Sequence, residues 1–93
     1  MPNIEIYGYN SAVSKVLRKQ IFEELFVDKP YVKEMVVTII PSKVADTKGW
    51  EQPFIRLLSS NSEEAEEILE IVEEKLPGID IEYVKIEKFI PKK

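Results

Sequence analysis

With 93 residues the chain fits one small domain, and it has no cysteine and no histidine, which excludes disulfides, thiolate and imidazole catalysis, and ordinary zinc or iron sites. Its 17 acidic side chains outnumber 13 basic ones, for a net charge of −4, so it lacks the basic face that phosphate neutralisation requires and no nucleic acid partner is expected. No run approaches the roughly 20 apolar residues that cross a bilayer, so no membrane partner is expected and the cytoplasm is the expected location.

The chain predicts six elements. Ile4 and Ile6 alternate with Asn3, Glu5 and Tyr7, the period of a half-buried strand, and Gly8 ends it. A helix follows, capped by Asn10 or Ser11, with Val13, Val16, Leu17, Ile21 and Leu25 on one face, and it stops near Val27 ahead of Pro30. Met35 to Ile40 is apolar at nearly every position, which predicts a strand buried on both faces at the centre of the sheet. Residues 42–52 form the longest irregular stretch and hold Trp50, whose plain reading is a loop residue covering a core edge.

Phe54 to Ser59 predicts a third strand, with Arg56 on the same side as Phe54 and Leu58. Asn61 with Glu64 three residues on fits a capping box for a second helix, striped by Ala65, Ile68, Leu69, Val72 and Leu76 and ended by Pro77-Gly78. Its six glutamates at 63, 66, 67, 70, 73 and 74 read as a solvated face rather than a metal cage. Glu82 to Phe89 predicts the last strand, with Val84 and Ile86 facing one way and Tyr83 and Phe89 the other.

Strand, helix and strand are thus written twice. Pro2-Asn3-Ile4-Glu5 is echoed by Pro53-Phe54-Ile55-Arg56, Ser11 by Ser62, Tyr31-Val32-Lys33 by Tyr83-Val84-Lys85, and Ile40-Pro41 by Ile90-Pro91, all at offsets of 50 to 52 residues. One domain spanning 1–93 is expected, with an internal repeat of roughly 1–43 and 52–93, as an α+β two-layer sandwich of duplicated β-α-β units. Two architectures share this order: a ferredoxin-like sheet and a tautomerase-like one. Pro2 opens the first copy and would become a free secondary amine if Met1 were removed, a candidate base; Pro53 stays locked in an amide.

The start Met1 to Ile6, the Lys29-Pro30 pair and the run from Met35 to Pro41 resemble the tautomerase superfamily, in its macrophage migration inhibitory factor branch. The second half is similar to a small bacterial branch of uncharacterised proteins in that superfamily. The resemblance implies a homotrimer with sites at subunit boundaries, enol–keto tautomerisation of a small carbonyl compound, and no cofactor. It implies Pro2 as base, with Lys29 or Arg56 polarising the carbonyl oxygen, and Trp50 and Tyr83 as substrate-contacting aromatics. The plain alternatives are a helix-end charge for Lys29 and a glutamate ion pair for Arg56. Related enzymes that act on dicarboxylates carry an arginine early in the first helix; here Ala12 stands there, so a dicarboxylate substrate is not expected. The rival function is a non-catalytic small-molecule-binding or assembly module on either scaffold.

Overall fold

The computed structural model describes residues 2–41, 45, 47–49 and 51–86. Strand β1 (Asn3–Tyr7) leads to helix α1 (Ser11–Gln20), which continues as a π-helical turn (Ile21–Leu25); a 3-10 turn (Val32–Glu34) then precedes β2 (Val36–Ile40). The second half is β3 (Phe54–Ser59), α2 (Ser62–Lys75) and β4 (Ile81–Lys85). Both helices start where their sequences place a short polar acceptor. Asn10 accepts from the Val13 N–H, and Asn61 accepts from the N–H groups of Glu63 and Glu64. The capping box is only half made, because the Asn61 N–H goes to Ser59 Oγ at 3.1 Å instead of to Glu64.

The strand order is β2-β1-β3-β4. β1 runs parallel to β2, and β3 parallel to β4, while β1 and β3 meet antiparallel at the centre. Each β-α-β crossover therefore joins neighbouring strands. A ferredoxin-like sheet splits every such unit by inserting a strand of the other copy, so this order decides between the two architectures the repeat left open.

Glu5 lies directly across from Arg56, its own counterpart in the repeat, so a local two-fold relates β1 and β3. Asn10 and Asn61 keep the same offset of 51. Beyond the helices the register changes: Ile40 stands beside Tyr7 and Val84 beside Leu58, an offset of 44 (84 − 40). The first unit thus carries seven more residues (51 − 44), which its π-helical and 3-10 turns take up. The echo between Tyr31-Val32-Lys33 and Tyr83-Val84-Lys85 consequently joins a turn to a strand, not equivalent positions.

Ile4, Ile6, Ile55 and Leu57 point from the central strands into the core, where Leu17, Ile21, Phe26, Ala65, Ile68 and Val72 cover them. Two expectations need correction. The inward face of α1 is Ser14, Leu17 and Ile21, while Val13 and Val16 are 39% and 56% exposed. Both faces share Leu17 and Ile21, and the small Ser14 allows close packing because its hydroxyl donates to the Tyr9 carbonyl at 3.3 Å. The second strand is at an edge, not the centre, and Val36 is 43% exposed. Its apolar run does face two ways, but its outward residues lie on the sheet face that carries no helix among the described residues, where Ile40 extends an apolar row with Tyr7 and Phe54 and Val36 stands beside Asn3, which separates it from Leu58 and Val84.

Candidate functional site

Three elements converge at the end of the sheet where β1 and β2 begin and β3 ends. Pro2 precedes β1 and is almost fully buried, less than 2% exposed, with its carbonyl accepting from the Val36 N–H at 3.2 Å. The chain from Phe26 to Met35 winds through successive turns, each closed by a backbone bond: Lys29 N–H to Phe26, Val32 to Lys29, Glu34 to Tyr31 and Met35 to Val32. Phe26 and Tyr31, with rings 6.3 Å apart, anchor this winding segment in the core. The first turns of α2 face it.

Between them lies a cleft of about 370 Å³ lined by Asp28, Lys29, Pro30, Tyr31, Glu63, Glu64 and Glu67. Glu67 Oε1 is the meeting point. Tyr31 donates its hydroxyl to that oxygen at 2.6 Å, and Lys29 Nζ lies 3.3 Å from it. Burial, and then the Glu67 carboxylate, push the Tyr31 hydroxyl far above its ordinary value, so it stays protonated. The Tyr31 hydrogen bond first, and Lys29 after it, hold Glu67 below the usual carboxylate range against the opposing effect of desolvation. One oxygen of Glu64, on the same cleft, is buried without a hydrogen-bond partner among the described residues.

The expected site residues divide. Pro2 and Lys29 stand at one end of the sheet, although Pro2 does not line the cleft. Arg56 sits in mid-strand on the outer face, ion-paired through Nε to Glu82 and lying 5.2 and 5.5 Å over the stacked rings of Tyr7 and Phe54. The structure does not bring it to Lys29. Tyr83 turns inward, packs on the core and donates its hydroxyl to the Ser59 carbonyl at 3.2 Å, near the start of α2. Trp50 lies outside the described residues, as do Phe89 and the Ile90-Pro91 echo. Sequence reasoning missed Glu67 and Tyr31. Glu67 is one of six similar glutamates, and only the fold distinguishes it; the one available signal was that Tyr31 directly follows Lys29-Pro30.

Among the described residues no group of three acidic side chains is arranged to hold a metal ion, and no helix is long and apolar enough to cross a membrane. A second, apolar groove of about 500 Å³ runs along α1 and the end of α2, where the exposed Val13 and Val16 share its lining with Leu76, Pro77 and Ile79.

No family model matches this chain, and no curated protein matches it in sequence. Among solved structures it is similar to a domain of unknown function (DUF1904) from Sebaldella termitidis ATCC 33386, at 18% identity over 92% of this chain and 89% of that one, with a TM-score of 0.64. Two others are a macrophage migration inhibitory factor-like protein from Entamoeba histolytica (14% identity, 91% and 86% covered, TM-score 0.48) and a macrophage migration inhibitory factor homologue from Prochlorococcus marinus (18%, 91% and 87%, 0.47). The likeness to the first of these shows the fold alone, a two-layer α+β sandwich, and its unsplit β-α-β pairs are the tautomerase-like rather than the ferredoxin-like arrangement.

Proposed function

We propose that this chain is a tautomerase-like protein that interconverts the keto and enol forms of a small carbonyl compound, with Pro2, freed by removal of Met1, as the base. The observation that carries this reading is the placement of Pro2: a strand-opening, buried residue at the same end of the sheet as the Lys29 cleft. Burial disfavours the protonated form of an amine, so a free Pro2 nitrogen would titrate below the ordinary α-amino value of about 7.7–8.0 and act as a base at neutral pH. In the reaction the amine takes a proton from the carbon beside the carbonyl, the C–H electron pair forms the C=C bond, and the oxygen gains the negative charge. Lys29 stabilises that oxygen, and a proton delivered to it completes the enol. Lys29 is favoured over Arg56 because Arg56 is held on the other face of the sheet by Glu82, Tyr7 and Phe54.

The reading includes a homotrimer in the cytoplasm. Its support is the sheet face that carries no helix among the described residues, where Val36 and Val84 stay exposed in one chain and offer apolar surface to neighbouring copies.

The same burial of Pro2 favours a second reading, in which Pro2 only opens β1 and the chain is a binding module without catalysis. Following enol-to-keto conversion of phenylpyruvate by its ultraviolet absorbance separates the two. The enzyme reading expects turnover by the mature protein and a loss of about 100-fold or more in Pro2→Ala. Turnover that survives this substitution undiminished would reject Pro2 as the base.

A further inference from the structure

An ammonium has three N–H donors, and Lys29 turns one toward Glu67 Oε1, leaving two for a ligand. Tyr31 has a single O–H, already given to the same oxygen. Tyr31 is therefore no donor to a substrate; it fixes the carboxylate that fixes the lysine. Tyr31 is only 6% exposed and its ring packs against Phe26, so the orientation of Lys29 traces back through Glu67 to the core.

The charge of the cleft follows from its lining. Four carboxylates (Asp28, Glu63, Glu64, Glu67) line the cleft with Lys29, the single cation among the described residues there, for a formal charge of −3 (1 − 4). A ligand carboxylate entering beside Lys29 meets an ammonium already paired and further negative charge around it. An uncharged carbonyl oxygen can take the two remaining N–H groups without that repulsion. The buried, unpartnered Glu64 oxygen adds an acceptor that a ligand hydroxyl would satisfy.

We propose that Glu67 is a positioning residue that aims Lys29 at the carbonyl oxygen of a ligand, and that the cleft takes uncharged carbonyl compounds in preference to the corresponding carboxylates. This rests on the reading of Lys29 as the carbonyl-polarising group, and it does not depend on Pro2 acting as a base.

Binding of phenylpyruvate and of its methyl ester to the full chain at pH 7, followed by calorimetry, tests it, because the two probes share the carbonyl and ring and differ in one charge. The ester is expected to bind the wild-type protein about tenfold more tightly than the acid. Glu67→Gln frees Lys29 and should bring the ratio to about one or invert it. Tyr31→Phe leaves the charge of Glu67 in place but loosens it, so the ratio should persist while ester affinity falls several-fold. Lys29→Gln should weaken the ester roughly tenfold, and it carries the test if Glu67→Gln does not fold. Acid binding as tightly as ester in the wild type, a ratio unmoved by Glu67→Gln, or binding of neither probe would overturn the proposal. A failure of Pro2 as base would leave these ratios as they are, and their failure would leave the Pro2→Ala result as it is.

Discussion

Tyr31, Lys29 and Glu67 share one oxygen, and that arrangement makes the acid and alkaline limbs of stability depend on identifiable side chains. Glu67 has a depressed folded value, so its contribution is complete above the ordinary carboxylate value of 4.5 and is lost as pH falls through its lower folded value. Glu67→Gln should flatten the acid limb of a urea-midpoint profile over that window. For Tyr31 the sign is opposite. Its hydroxyl is raised, so its contribution is present below the ordinary value of 10.0 and fades as pH climbs above it. Tyr31→Phe should remove that alkaline decline and cost about 1.5 kcal/mol near neutrality, the range for a buried hydroxyl bonded to a charged acceptor. An alkaline limb identical in Tyr31→Phe and wild type would mean that the hydroxyl is not held as described. Lys29 was legible as a candidate from Lys29-Pro30, but its partner was not, since nothing in a run of glutamates marks the one that folding brings 38 residues back (67 − 29) to it.

At the scale of elements, local chemistry was the readable part. Asn10 and Asn61 each accept from the first free N–H groups of a helix, and β3 begins and ends where its alternating pattern does. Asn10→Ala and Asn61→Ala are each expected to lower unfolding free energy by about 1 kcal/mol. The Asn61 change should cost more, because Asn61 satisfies two N–H groups and Asn10 one. Equal urea midpoints for wild type and Asn61→Ala would contradict that cap. What was not readable was tertiary. A helix stripe through Leu17 and Ile21 fits Val13 and Val16 as well as Ser14, and only the approach of Tyr9 selects the serine. The place of β2 at the edge likewise depends on which strands pair, a choice that hydrophobic patterning leaves open.

For the whole molecule, the two-fold between Glu5 and Arg56 puts both helices on one face and leaves the other uncovered among the described residues, with a polar row of Thr38, Glu5, Arg56 and Glu82 between the apolar row of Ile40, Tyr7 and Phe54 and a row in which Asn3 interrupts Val36, Leu58 and Val84. The duplication was visible in the sequence through Pro2 and Pro53 and through the two caps, but the unsplit pairing that defines the fold was not, because the same element order serves two sheets. If the uncovered face and the β2 edge join copies, sedimentation should show a trimer at micromolar concentration. Val36→Glu should then yield a folded monomer, since the site is exposed in one chain and the added charge is costly only when covered. A wild-type monomer at every concentration would contradict the assembly.

Covalent labelling decides whether the Pro2 nitrogen, at the same end of the sheet as the Lys29 cleft, is a free amine of lowered basicity. The mature protein is treated at neutral pH with a halo-keto acid, and its peptides are mapped by mass. Loss of one methionine and a single label on the amino-terminal peptide are expected, at a rate that rises with pH and levels off below the ordinary α-amino range. Retention of Met1, or a label that falls on lysines instead of the terminus, would contradict it.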